Sequence, residues 1–472
     1  MPAGEERFWA ARPELAAIKQ WAQARRVAPW AVLGVVLARV ITHTPCDVQL
    51  PAIVGGPGSL NIFVGLVARS GGGKGAAIAV GGEALEIGPS ILRVARANLG
   101  SGEGISAAFV GREKTDDGSE ITQHTDSVLF EVAEVDTFGA VSGRTGATLM
   151  PEIRKLWSGE ALGFQNRDSA RTLPVEAHSY RAAMIVGVQP TRSGALLGDA
   201  DGGTPQRFLW MPATDPSAPN RAPAPPEPIR WSLPGEDQIP TVSGRRIMQV
   251  CDAAWDAIDG AQIARLRGEG DALDGHALFS RLKVAAALAL LDGRGGVAEG
   301  DWDLAGIVMR VSNLTRQACG DALRDAAAKV NEARAEARAE AAVVTADHTE
   351  VVALGKAKDR ILGKLSSSWM AVAPIRSNLS TKLRSYWDQA VSEMVAAGVV
   401  EVLTDEYQGR PRTRMRLSTP PGLANPPALP ANPDLPRNHA DLSGGKADMA
   451  ETPALATNSN PASTEPEEEA AA

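Results

Sequence analysis

Residues 65–77 read Gly-Leu-Val-Ala-Arg-Ser-Gly-Gly-Gly-Lys-Gly-Ala-Ala, a glycine-rich stretch with one lysine near its end. Glycines let successive backbone N–H groups turn toward one point, and a helix starting there adds positive potential. Such a point binds phosphate. An apolar run of strand length, Leu60 to Val67, precedes it, and a helical pattern follows, which is the context a P-loop needs. Ser70, Gly71, Gly72, Gly73, Lys74 and Gly75 are the expected nucleotide-binding residues, with Lys74 reaching the β- and γ-phosphates of ATP. The stretch departs from G-x-x-x-x-G-K-[ST] twice: Ala68 replaces the first glycine, and Gly75 replaces the hydroxyl residue that would hold Mg²⁺. Water or another side chain has to fill that metal position. A flexible glycine turn with a surface lysine is the plainer alternative.

A P-loop ATPase also needs a carboxylate at the end of a neighbouring strand. The run Val128 to Asp136 supplies three acids. Glu134 is the expected activating residue and Asp136 the metal-side alternative, meeting Mg²⁺ through water. Glu131 lies inside the apolar run and can face either way; strand-end surface charge is the simpler reading of all three. A third run, Ala183 to Val188, ends in Gln189-Pro190. In ring-forming P-loop ATPases a polar residue there lies between the two catalytic strands and senses the γ-phosphate. Gln189 suits that role, and it also suits a turn before proline. Arg207 heads the apolar strand Phe208 to Met211, where an arginine finger from the next subunit or an ordinary strand-edge arginine would stand. Arg281 is a second phosphate-sensing candidate.

The elements that must position these residues alternate strand and helix, which points to an α/β core: a mostly parallel sheet with helices on both faces. Residues 13–41 read as two helices parted at Pro29, within an N-terminal helical segment 1–45. The ATPase core is expected over 46–213. Nine prolines between Pro212 and Pro240 read as a semi-rigid linker, 214–245. A helical domain follows over 246–345. Leu304, Ile307, Val308, Val311 and Leu314 share one helical face there, and 322–342 reads as a solvated helix. Residues 419–472 carry eight acids, two bases and ten prolines, a disordered acidic tail by composition. That tail would fold back and compete with DNA for basic residues before it.

The chain has 472 residues and a net charge of −8, which argues against a uniformly basic coat protein. Its three cysteines, Cys46, Cys251 and Cys319, lie far apart, which excludes a disulfide scaffold and suits a cytoplasmic location. No apolar run reaches the ~18 residues of a membrane span. The six histidines show no ligand spacing.

Residues 351–418 are locally basic, with 11 Lys/Arg against 6 Asp/Glu. Short helices at Lys358–Leu365, from Pro374, and at Thr381–Ala397 precede two alternating strands joined at Gln408-Gly409-Arg410. Three helices and a β-hairpin is a winged-helix order, placed at 350–418. Arg376, Lys382 and Arg384 lie at the start of the presumed recognition helix. Arg410, Arg412, Arg414 and Arg416 lie on the presumed wing, where residues two apart share a face. Such a stripe meets DNA phosphates. A protein-binding winged helix with a solvated basic face is the alternative.

Taken in order, Gly71-Gly-Gly-Lys74, Glu134, Gly187-Val-Gln189-Pro190 and Gln206-Arg207-Phe208-Leu209 resemble an incompletely characterised P-loop ATPase family of phages, plasmids and integrated elements. That family is similar to ring-forming replicative helicases of the viral and AAA+ kind and is associated with primase–polymerase modules. The resemblance covers about 50–213 and, more loosely, 246–320. It implies phosphate binding by Lys74, a Walker B role for Glu134, a sensor role for Gln189 and a finger role for Arg207. It also implies action on DNA beside primase–polymerase or other replication proteins, and an arginine finger given in trans leads to the expectation of a homo-oligomeric ring, such as a hexamer. Ala68, Gly75 and Ala133 depart from the family pattern, which bears on metal binding and turnover more than on nucleotide binding.

Overall fold

The structure is a computed structural model that describes residues 4–90, 92–115, 118–136, 138, 148–163, 173–269 and 274–418. The chain divides into two units, Met1–Ala341 and Ala342–Ala472. The acidic tail, 419–472, falls outside the described residues.

The first unit opens with helices α1 (Glu5–Ala10), α2 (Pro13–Ala24) and α3 (Pro29–Thr42). Pro13 and Pro29 occupy first turns, where a missing N–H costs nothing and the fixed φ is already helical. Five strands then form one parallel sheet: β1 (Ile62–Val67), β2 (Val94–Asn98), β3 (Ser127–Val132), β4 (Arg181–Val188) and β5 (Phe208–Pro212). Their order is β2-β3-β4-β1-β5, and every neighbouring pair is parallel. Strands buried on both faces read as continuous apolar runs. Hence β1, β3 and β4 are visible in composition, whereas edge strand β2, Val-Ala-Arg-Ala-Asn, is not.

Alternate residues along the strands enter two cores. Val64, Leu66, Leu129, Ile185, Leu209 and Met211 meet the core built with α1, α2 and α3 and with α4 (Lys74–Ala84). Phe63, Phe130, Met184, Val186, Phe208 and Trp210 meet the other, with Ile153 and Leu156 of α5 (Leu149–Ser158). Helix α3 is buried all round, which explains its lack of a polar face.

Residues 214–245, expected as a linker, are bound along the first unit. Prolines have no N–H to donate, yet their segment keeps its carbonyls, and these accept from side chains. Gln20 Nε2 donates to Ala224 O at 2.9 Å and Arg26 Nη2 to Asn220 O at 2.8 Å. Ile229–Trp231 pairs in parallel with Leu85–Ile87, and Trp231 Nε1 donates to Leu290 O at 2.7 Å. Helix α6 (Asp274–Leu291) completes the first core.

Helix α7 (Glu299–Leu362) is one element of 64 residues. It replaces the separate helices expected near 304–314, 322–342 and 358–365. No proline occurs between Pro240 and Pro374 to stop it. Val330, Val343, Val344 and Val351 along its middle are exposed.

The second unit contains α8 (Val372–Ser377), α9 (Thr381–Arg384) and α10 (Trp387–Ala396), then β6 (Val400–Tyr407) and β7 (Arg410–Leu417). The helix expected over Thr381–Ala397 is broken at Ser385-Tyr386. Gln408 and Gly409, with φ of 54° and 75°, make the two-residue turn whose twist suits a hairpin. A short strand, Met370–Ala371, pairs with β7, and Ile361, Ile375, Trp387, Met394 and Met415 form the core. No helix of the described residues is long and apolar enough to cross a membrane.

Candidate functional site

The glycine loop joins the carboxyl end of β1 to the first turn of α4. Gly71 and Gly73 take φ of 73° and 82°, values that a side chain would strain. Ala68 N donates to Val188 O at 3.0 Å and Gly72 N to Arg69 O at 3.0 Å, which pins the loop over β4. Lys74 begins α4, and its Nζ reaches back to Ala68 O at 3.3 Å and Arg69 O at 3.5 Å. Both contacts are long for hydrogen bonds. Ser70 is exposed, and a Cβ at Gly75 would meet nothing within 4 Å.

Three strand ends converge on Lys74. Glu134, just past β3, places Oε1 4.0 Å from Lys74 Nζ. Gln189, just past β4, donates from Nε2 to Glu134 Oε2 at 2.8 Å. Because β4 lies between β1 and β3, its end falls between the lysine and the carboxylate. Gly187 makes the approach possible. A Cβ there would strike Ala133 O and lie 3.2 Å from Lys74 Cε. The sequence marked Gly187 only as part of a motif; its physical signal was a glycine inside a β run, which often means close backbone approach.

The other two acids go elsewhere. Asp136 pairs with Arg192, and Glu131 lies 3.6 Å from Arg96. Glu134 is therefore the acid of the three that meets the lysine. Among the described residues no group of three or more His, Cys, Asp or Glu could cage a metal.

Arg207 is at the other end of the sheet. Phe208 stands beside Phe63, so Arg207 flanks the start of β1, far from the loop after Val67. It is 8% exposed, donates from Nη1 to Gly202 O at 2.8 Å, and lies 5.3 Å from the Trp157 ring. Burial, then repulsion from Arg154, lowers its pKa to about 10. The structure does not bring it to Lys74 of the same chain. Arg281 is not there either. It donates to Trp302 O at 2.8 Å and stacks on the Trp302 ring at 3.8 Å, packing α6 on α7.

The amino end of the sheet also holds residues that the sequence reading passed over. Arg181 is 1% exposed and donates to Thr44 O, Pro45 O and Val48 O at 3.0, 2.8 and 2.6 Å. Lys283, equally buried, donates to Asn61 O at 2.8 Å and Trp157 O at 2.6 Å. Burial lowers Arg181 to about 10 and holds Lys283 well below the ordinary lysine value; the Trp157 ring, 3.6 Å from Nζ, offsets part of that cost. A lone lysine within Leu282-Lys283-Val284-Ala285 was the available signal.

In the second unit, Arg412, Arg414 and Arg416 do share a face of β7, but acids share it too. The register sets Asp405 opposite Arg412 and Glu401 opposite Arg416. Asp405 pairs with Arg412 at 3.2 Å and with Arg414, while Glu401 pairs with Arg416 at 2.7 Å. Arg376 lies 3.7 Å from Asp388, and Arg384 caps carbonyls of Ser377 and Leu379 at 3.0 Å. Among the described residues, the side chains of Lys382 and Arg410 form no ion pair or hydrogen bond. The uniform basic stripe expected from spacing is thus largely neutralised within its own hairpin. Spacing along one strand does not show what the partner strand carries.

In comparison with known proteins, no family model and no curated protein matches this chain.

Proposed function

We propose that the first unit is a P-loop ATPase whose ATP phosphates bind at residues 70–75, and that the second is a winged-helix DNA-binding module. One observation carries the reading. Lys74, Glu134 and Gln189, from three different strand ends, meet within 4.0 Å beside a glycine loop that opens a helix. Open α/β sheets bind ligands outside the carboxyl ends of their strands. In this reading Lys74 Nζ trades the Ala68 and Arg69 carbonyls for phosphate oxygens. Glu134 then orients the attacking water and takes its proton, and Gln189 holds the Glu134 carboxylate toward the γ-phosphate. When bound, Mg²⁺ supplies charge neutralisation to the phosphate oxygens. Glu134 would hold that ion through water. Gly75 and Ala133 offer it no ligand.

The resemblance to mobile-element replication ATPases supports a DNA motor or remodeller working beside a primase–polymerase. A homo-oligomeric ring, completed by Arg207 of a neighbour, belongs to the same proposal. It requires Arg207 to leave Gly202 O and the Trp157 ring. Of the seven basic residues expected to meet DNA in the second unit, Lys382 and Arg410 are the two whose side chains are free to meet phosphate among the described residues.

A second reading is favoured by Gly75 and Ala133. It is an ATP-gated DNA-binding switch or helicase loader that turns over slowly. The deciding experiment is Mg²⁺-dependent ATP hydrolysis with and without single-stranded DNA, against Lys74→Ala. DNA-stimulated hydrolysis lost in the variant supports the motor. Tight ATP binding without turnover supports the switch. Wild-type levels in Lys74→Ala would remove both.

A further inference from the structure

A cavity of 330 Å³ adjoins the glycine loop, bounded on one side by Gly71, Gly72 and Gly73. That volume lies at the lower end of small-molecule pockets, ~300–1,000 Å³. Its opposite walls come from two segments that neither the loop nor the sheet requires. One is the last turn of α2 and the turn that follows it, which contribute Gln23, Val27 and Ala28. The other is the start of the proline-rich segment, which contributes Ala218 and Pro219. Arg26 ties the two together by donating to Pro219 O and Asn220 O. It does so from a strained backbone, with φ of 55°. Behind it Trp21 and Gln20 hold the same segment through Glu227 O and Ala224 O, at 3.4 and 2.9 Å.

Resting on the ATP reading above, we infer that this cavity is the nucleobase pocket, and that the Gln23 amide selects adenine. Val27, Ala28, Ala218 and Pro219 give it apolar wall for the faces of a purine. Among the described residues the Gln23 side chain makes no hydrogen bond, although it is half-buried in the pocket wall. A glutamine amide matches adenine in a bidentate way: its oxygen accepts from N6 and its nitrogen donates to N7. Guanine presents an acceptor, O6, where adenine presents the N6 donor. Asp215, also in the wall, accepts from Ser217 N at 2.9 Å and is placed for a ribose hydroxyl. The proline-rich segment therefore acts as a strap that closes the base pocket, and Arg26 is the positioning residue that holds it.

The test is calorimetric titration of the full chain with ATP, GTP and inorganic triphosphate. It compares wild type with Gln23→Ala, Gln23→Glu and Lys74→Ala, each checked for an unchanged melting temperature. Wild type is expected to prefer ATP over GTP by about tenfold or more, the worth of one good bidentate pair. Gln23→Ala should lose most of that preference while binding triphosphate as wild type does. Gln23→Glu keeps the helix former and the N6 acceptor, which guanine O6 cannot meet, but loses the N7 donor, so it should weaken ATP binding while keeping the preference for ATP over GTP. Equal wild-type affinity for ATP and GTP, or an unchanged preference in Gln23→Ala, overturns the pocket while Lys74→Ala still abolishes binding. If Lys74→Ala leaves triphosphate binding intact, the ATP reading fails and takes this inference with it.

Discussion

At the carboxyl ends of β1, β3 and β4, Lys74 is held by two carbonyls at 3.3 and 3.5 Å and by a carboxylate 4.0 Å away. At the amino ends of the same sheet, Lys283 and Arg181 are held by carbonyls at 2.6–3.0 Å. No ion pair reaches either side chain among the described residues. The chemistry of the groups is alike, and their accessibility differs. Long contacts at an open edge can be traded for a ligand. Short contacts in a sealed edge cannot, because removing any partner strands a polar group away from water. The cations at the two ends are therefore held differently: Lys74 by long contacts, Arg181 and Lys283 by short ones that fasten the Thr44–Val48 loop, β1, β4 and α6 together.

The sharpest way to break that contrast is Arg181→Ala. It orphans three backbone carbonyls and should cost about 3 kcal/mol or more, read by urea denaturation, with nucleotide affinity of the folded protein unchanged. A stable variant that has lost ATP binding would mean the two ends are one functional site. Next comes Gly187→Ala. The added methyl has no room between Ala133 O and Lys74, and overpacking of this kind costs about 1–3 kcal/mol. We expect hydrolysis to fall by at least about tenfold, since Glu134 and Lys74 must separate. Wild-type turnover would show that their spacing is unimportant.

His276 tests the amino end through pH. It lines a cavity of 320 Å³, and burial, then repulsion from Arg207, lowers its pKa to about 4. The folded state keeps the ring neutral where the unfolded chain takes a proton. Stability should therefore fall as pH drops from 6.5 to about 4, and be unaffected by this group above that window. In His276→Gln the melting temperature should change less between pH 7 and pH 5 than in wild type. An identical pH profile would remove the ring from the account. The smallest effect is expected from Gly75→Ser at the carboxyl end. There is room for the side chain, and a hydroxyl at that position can join the Mg²⁺ shell. Hydrolysis should rise by up to about tenfold, equivalent to ~1.4 kcal/mol. No rise would mean that water already fills the position.

Much of the carboxyl edge of the sheet was legible beforehand because it depends on short-range signals. Glycines before a lysine, a polar residue ending an apolar run and an acid after a strand each announce themselves locally. Choosing Glu134 over Asp136 and Glu131 needed the fold, since Arg192 and Arg96 come from other elements. The hairpin itself was legible, but the charge balance on its face was not, for the same reason. Its arginines were visible every second residue, and the acids that neutralise them sit across the register. The proline-rich segment looked like a linker because prolines cannot join a ladder, yet its carbonyls found donors on α2 and in the turn after it.

Residue order and type settled the α/β alternation, the buried character of β1, β3 and β4, and the position of the glycine loop between a strand and a helix. These follow from backbone propensity and from the apolar content of strands covered on both faces. Strand order, the meeting of Lys74, Glu134 and Gln189, the removal of Arg207 to the far edge and the closing of the 330 Å³ cavity by the strap were decided by packing. Each depends on contacts between segments tens to hundreds of residues apart. In such contacts burial and hydrogen-bond satisfaction, rather than any local preference, select the partner.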